Sequence, residues 1–176
     1  IQFKDFLNTS KKISPFIWHD SIDELESQNK IKTSGPFIAV SPYSNWKEKD
    51  WAIEKYFELF KNDFFKGYTI IFTGISKDIP NREKFFKMID DSSLNIFNLF
   101  DWGNLRHMIP IFNQCKFFIG SDSGLMHLAA STNCKTFALF GPTNEIVYGP
   151  WGDHKVIKSL DYPAIDDPLN LPVEKV

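Results

Sequence analysis

Four small groups of residues in this 176-residue chain have types and spacings that could do chemistry. The first is Asp122-Ser123-Gly124, with His127 one helical turn further on. Small residues at a helix start leave backbone N–H groups open and carry partial positive charge, so an anionic group such as a diphosphate can come close. The plainer reading makes Asp122 and Ser123 helix caps and His127 a packed core residue. The second group is Lys49, with Lys47 as a competitor two residues earlier. An ammonium there would neutralise charge building on a departing nucleotide diphosphate, although a surface Lys is more often merely solvated. The third is Ser76 and Asp78, just past Gly74, and the fourth is Thr143-Asn144 after Gly141-Pro142, a turn with a hydroxyl cap on the plainer reading. Lys49 on one side and the Ser123 and Gly124 amides on the other would give a diphosphate two complementary faces. No metal is then needed, and no Asp-x-Asp pair is present to bind one. Bulk at Gly124 should block the anion and strain the turn.

Strands and helices must carry these groups to one place. Phe37–Ser41, Tyr68–Thr73, Asn95–Leu99, Phe117–Ile119 and Thr136–Phe140 are short apolar runs, several ending at Gly or Pro, and Lys155–Lys158 is a sixth candidate. Between them lie stretches with helical spacing: 52–66 closed by Gly67, 81–89, 104–113, and one starting near Asp122 or Ser123. Pro110 should kink the third of these or shift its start. Residues 20–27 read as a short acidic helix, Thr33–Pro36 as a linker, and the chain beyond Ser159 as a Pro-rich loop ending in the start of another helix at 171–176. Solid apolar strands alternating with helices demand a parallel sheet covered on both faces, an α/β Rossmann-like architecture. Such sheets bind ligands beyond the carboxyl ends of their strands. The loops 42–50, 74–80, 120–124 and 141–148 all leave from strand ends, so they should gather along one edge.

Several of these motifs, taken together, resemble glycosyltransferase family 9, the lipopolysaccharide heptosyltransferases and their relatives. Asp122-Ser-Gly-Leu-Met-His127, then Phe140-Gly-Pro-Thr143, then Tyr148-Gly-Pro-Trp-Gly152 look like the donor-binding, C-terminal half of such an enzyme. Ser44-Asn45-Trp46-Lys47-Glu48-Lys49-Asp50-Trp51 is similar to a second family motif, in which small hydroxyl residues and a Lys two before a Trp hold the donor diphosphate. Tyr43, Asn45 and Ser76 depart from the family pattern. The resemblance implies the C-terminal half of a GT-B glycosyltransferase, with 1–34 as a lead-in segment and 35–176 as the nucleotide-sugar-binding domain. It implies donor-binding roles for Ser44, Asn45, Lys49, Ser76, Asp122, Ser123, Gly124, His127 and Thr143. Asp122 would sit near the sugar and His127 would donate a hydrogen bond. The catalytic base of an inverting transfer would belong to an N-terminal acceptor domain preceding Ile1. The implied donor is a nucleotide-diphospho-sugar such as ADP-heptose, the acceptor is lipopolysaccharide core, and no metal cofactor is expected. A non-catalytic nucleotide-sugar module, or a family enzyme with another donor, is the alternative. An unrelated flavodoxin-like or epimerase-type domain is a third reading, and the absence of an early Gly-x-Gly-x-x-Gly argues against its dinucleotide version.

Composition excludes other classes. A net charge of -2 with no basic block does not suggest nucleic-acid binding. No apolar run is long enough to span a bilayer, so membrane association, if any, would be peripheral and through the other half. Cys115 and Cys134 have no metal or disulfide spacing and read as reduced core thiols of a cytoplasmic protein.

Overall fold

The computed structural model describes residues 17–32, 35–159 and 173–175. Six parallel strands form one sheet: β1 (Phe37–Ser41), β2 (Thr69–Gly74), β3 (Ile96–Phe100), β4 (Cys115–Ser121), β5 (Lys135–Phe140) and β6 (His154–Lys158), in the order β3-β2-β1-β4-β5-β6. Chain order runs outward from β1 in one direction to β3, then restarts beside β1 at β4. Right-handed crossovers therefore put the helices that follow β1 and β2 on one face and those that follow β3 and β4 on the other. The Rossmann-like α/β architecture expected from the sequence is the one found.

The core shows why these residues make this sheet. All five positions of β1 are buried, because both faces of a central parallel strand are covered. Ile38, Val40, Ile70, Phe72, Ile119 and Leu139 point to one face, against α2 (Ile53–Phe60) and α3 (Arg82–Asp90). Aromatic rings fill this layer: Phe72 lies 5.8 Å from Phe57 and 5.5 Å from Phe85, centroid to centroid. Ala39, Ile71, Phe118, Ala138 and Phe140 point the other way, against α4 (Leu105–Gln114) and α5 (Gly124–Ala130). There Met108, Ile109, Phe112, Met126 and Ala129 close the core. A helix at Ser21–Lys30, α1, packs on α4, with the Ser27 hydroxyl donating to His107 O at 2.8 Å. Cys115 and Cys134 are buried free thiols, and burial pushes Cys134 up to about 12.

Three expectations change. The helix read over 52–66 stops at Phe60, and a 3-10 turn follows at Asp63–Phe65. Asn62 is the cause: its side chain accepts the Phe64 N–H at 2.9 Å and starts a new turn, which leaves Phe64 exposed rather than on the buried face. Pro110 does not shift the start of α4, which Asn104 caps through the Arg106 and His107 N–H groups. Leu105, which opens that helix, is 63% exposed rather than part of an apolar face. The stretch 141–148 is not all loop: Glu145–Tyr148 forms one helical turn, α6, capped by Asn144. The Thr33-Ser34 part of the linker and the loop over 160–172 lie outside the described residues, and Val173–Lys175 is a 3-10 turn whose Val173 packs beside α2.

Candidate functional site

The loop after β1 folds back on itself within a few residues. The Asp50 carboxylate Oδ1 accepts the Ser44 N–H at 2.8 Å and lies 2.9 Å from the Ser44 hydroxyl. A 3-10 turn at Lys47–Lys49 completes the reversal, and Trp51, fully buried, pins the far end. The turn sets the direction of its two lysines. Lys47 stays exposed, whereas Lys49 reaches across the sheet to the turn after β4. Its ammonium lies 2.9 Å from Asp122 Oδ2 and 5.3 Å from the Trp46 ring centroid.

The turn after β4 is tight for a structural reason. A Cβ on Gly120 would sit 2.7 Å from Ser41 O, so only Gly lets β1 and β4 come together at this level. Ser123 caps α5 and accepts the Met126 N–H at 3.4 Å. Asp122 is not the cap; it is the buried partner of Lys49, the two side chains being 8% and 17% exposed. His127 is not a core residue either. It is about half exposed, with Nε2 3.9 Å from Asp122 Oδ1. Above Gly124 there is open space, with nothing within 4 Å of a built Cβ and no left-handed backbone, so bulk there would fill the opening without straining the turn.

Between these turns and the loops after β2 and β3 lies an open cleft of about 670 Å³, beside the point where strand order reverses. Ser41, Tyr43, Ser44 and Asn45 line it from β1; Ser123, Gly124 and Leu125 from the β4 side. Ile75, Lys77 and Asp78 come from β2, and Trp102, Gly103 and Leu105 from beyond β3. Ser76 is buried and turned away: its N–H donates to Asp101 Oδ1 at 2.8 Å, and the Ser76 hydroxyl and amide hold that carboxyl below the usual range. Asp101, at φ 58, turns the chain where it enters the cleft wall. Lys49 and Asp122 form an ion pair with the His127 imidazole beside it; the three stand at the rim next to Ser123, just outside the residues that line the cleft. The Thr143 Oγ1, past β5, is buried without a hydrogen-bond partner among the described residues.

Three features of this site were absent from the sequence reading. Asp50 is one: burial pushes its carboxyl up to about 7, opposed by the Ser44 hydrogen bonds and assisted by Asp78 and Glu48. Its Oδ2 is buried with no partner among the described residues. Burial also raises Tyr56, whose hydroxyl lies beside that of Ser121. The other two are Asp101 and the wall formed by Trp102 and Leu105. The Asp101-Trp-Gly-Asn104 turn before a capped helix was the signal that could have found that wall. Among the described residues no group of three or more His, Cys, Asp or Glu is placed to hold a metal. No described helix is long and apolar enough to cross a membrane.

The model of Glycosyltransferase family 9 (heptosyltransferase) matches residues 3–168. Lipooligosaccharide heptosyltransferase 2 of Haemophilus influenzae is 27% identical over 150 residues, which are 84% of this chain and 43% of that protein. The chain thus spans less than half the length of the curated relative it matches. Among solved structures, the ADP-heptose lps heptosyltransferase II of E. coli superposes with a TM-score of 0.75 at 22% identity, covering 94% of this chain and 52% of that one. The glycosyl transferase family 9 protein of Veillonella parvula gives 0.73 at 23% identity, over 83% and 43%. At these identities the structural likeness speaks for the fold alone, and the fold is that of a GT-B glycosyltransferase lobe.

Proposed function

Because this chain belongs to glycosyltransferase family 9, the heptosyltransferase family, we propose that it is the donor-binding, C-terminal half of an inverting glycosyltransferase. The donor is a nucleotide-diphospho-sugar, ADP-heptose on this reading, and the acceptor is lipopolysaccharide core at the inner face of the bacterial inner membrane. One observation carries it: the cleft opens at the reversal of strand order, with the Lys49 ammonium at its rim.

The chemistry follows from that placement. The nucleoside fills the space between the β1, β2 and β3 loops, against Tyr43, Trp102 and Leu105. The diphosphate lies toward Ser123 and Gly124, where the start of α5 offers N–H groups and no Cβ intrudes. Lys49 exchanges part of its bond with Asp122 for the diphosphate and neutralises the charge that builds as the nucleoside diphosphate leaves. Asp122, freed on that side, accepts from sugar hydroxyls, with His127 as a second hydrogen-bonding group beside it. Ser44 and Asn45 complete the polar lining, Thr143, its Oγ1 buried past β5, backs the sugar side, and Ser76 acts through Asp101. The base that takes the acceptor's proton comes from the N-terminal acceptor domain. Residues 35–176 are the nucleotide-sugar domain and 1–34 the lead-in to it. Transfer needs no metal, and the half described here binds donor but transfers little alone.

Calorimetric titration with ADP, UDP and GDP, each with and without Mg²⁺, tests this. A preference for ADP that Mg²⁺ leaves unchanged is expected. A preference for UDP or GDP replaces the donor and keeps the class. Binding that requires Mg²⁺ overturns the metal-free clamp.

A further inference from the structure

The loop that carries Lys49 has few holds of its own. Among the described residues, the bonds that close it, apart from its 3-10 turn, run between Ser44 and Trp46 and from Ser44 to Asp50, and the Lys49–Asp122 pair joins it to the turn after β4. Ser44 is buried, so its N–H needs an acceptor, and Asp50 Oδ1 is that acceptor. The same loop ends at Trp51, which is fixed in the core 4.7 Å from Tyr56, centroid to centroid. Asp50 therefore ties the Ser44 end of the loop, which follows the packed Tyr43 ring, to its Trp51 end. Lys49, one residue before that tie, is the side chain whose direction the tie sets.

We propose that Asp50 is a positioning residue: its carboxyl clamps the Ser44–Asp50 loop shut and thereby delivers the Lys49 ammonium to the rim of the cleft. The role rests on the donor-binding reading for its purpose, but its geometry stands without a ligand. What the clamp needs is the Oδ1 acceptor. The other oxygen, Oδ2, faces no donor among the described residues. An amide in place of the carboxyl keeps the acceptor and gives up only the ionisable oxygen. A buried carboxyl held up near 7 behaves similarly when it carries its proton.

The test reads Lys49 directly. The rate at which an amine-reactive reagent labels Lys49, relative to exposed Lys47, is measured by mass spectrometry in the wild-type chain, Asp50→Ala, Asp50→Asn and Ser44→Ala. ADP affinity is titrated in the same proteins. In Asp50→Ala, labelling of Lys49 rises severalfold and ADP affinity falls about ten-fold, equivalent to about 1.4 kcal/mol. Asp50→Asn stays near wild type in both readouts, which a charge-dependent role would not allow. Added to Lys49→Ala, Asp50→Ala costs no further affinity, because it acts through Lys49. Unchanged Lys49 labelling in folded Asp50→Ala overturns the proposal. If Asp50→Ala does not fold, Ser44→Ala decides: it keeps the N–H and loses the hydroxyl, so a smaller rise supports the clamp and no rise overturns it. If the wild-type chain does not bind ADP, the donor reading fails, while the labelling result still decides the clamp.

Discussion

The turns after β1 and β4 lie side by side at the mouth of one cleft, each buries a carboxylate, and they treat it in opposite ways. Asp122, after β4, faces the Lys49 ammonium at 2.9 Å. Asp50, after β1, has among the described residues the amide and hydroxyl of Ser44 as its hydrogen-bond donors and no cation beside it, and burial pushes it up to about 7. The cost of taking a charge out of water is met in the first case by an opposite charge and in the second by giving up charge. The contrast separates two jobs. A charged pair can be exchanged for a ligand's charge, which suits a rim. A hydrogen-bonded tie that holds its proton up to about pH 7 and needs no cation keeps a loop closed whatever anion arrives, which suits a frame.

The largest effect should come from breaking the charged turn. Lys49→Ala leaves Asp122 buried and unpaired, so stability should fall by about 2 kcal/mol in urea unfolding, part of the full buried-pair penalty because Lys49 is partly exposed. Asp122→Asn on top of Lys49→Ala should restore most of that stability but none of the ADP binding. Recovery of both would show that Lys49 serves the fold alone.

Next comes the floor between the turns. Gly124→Val should lower ADP affinity about ten-fold, about 1.4 kcal/mol, with the melting temperature nearly unchanged, since its Cβ meets nothing within 4 Å. Equal affinity would move the diphosphate away from α5.

The neutral turn should reveal itself in pH. A carboxyl at about 7 in the fold and 3.8 by default binds more protons folded than unfolded across that window. Its contribution to stability is therefore full below the lower value and lost as pH rises, by about 1.4 kcal/mol per unit, levelling off above about 7. Glu54 and Asp101, whose carboxyls are held low, act the other way, with stability present above their default values and lost toward acid. Subtracting the Asp50→Asn curve isolates the Asp50 decline; a flat difference between pH 4 and 7 would mean that Asp50 is ionised in the fold.

The two turns also differ in how far the sequence revealed them. Asp122-Ser123-Gly124 follows a solid apolar strand and starts a helix, so its place at the sheet edge could be read from pattern alone. Lys49 was found through the resemblance of its stretch to a family motif, but the Asp between it and Trp51 looks like a surface charge until the chain folds over it. Burial of a polar group is a tertiary fact without a periodic signature. The wall beyond β3 escaped for a related reason. β3 is an edge strand with Asn98 exposed, its apolar run is broken, and reading its end at Leu99 left Phe100 and Asp101 off the strand mouth. Likewise Phe64 and Phe65 prolong the apolar rhythm of α2, and only the Asn62 cap ends it.

His127 supplies the finest distinction between the turns. It stands on the charged side, yet at 3.9 Å from Asp122 and about half exposed it adds little to a carboxylate that Lys49 already serves. His127→Gln should therefore change stability by no more than about 0.5 kcal/mol, the scale of an exposed ion pair. If the imidazole is held in place for the donor, its effect appears only when a sugar is attached. ADP should bind His127→Gln as it binds wild type, and ADP-heptose should bind it more weakly. Equal loss for both ligands would put His127 on the diphosphate beside Lys49, and the charged turn would then use two hydrogen-bond donors on one anion rather than one cation and one sugar contact.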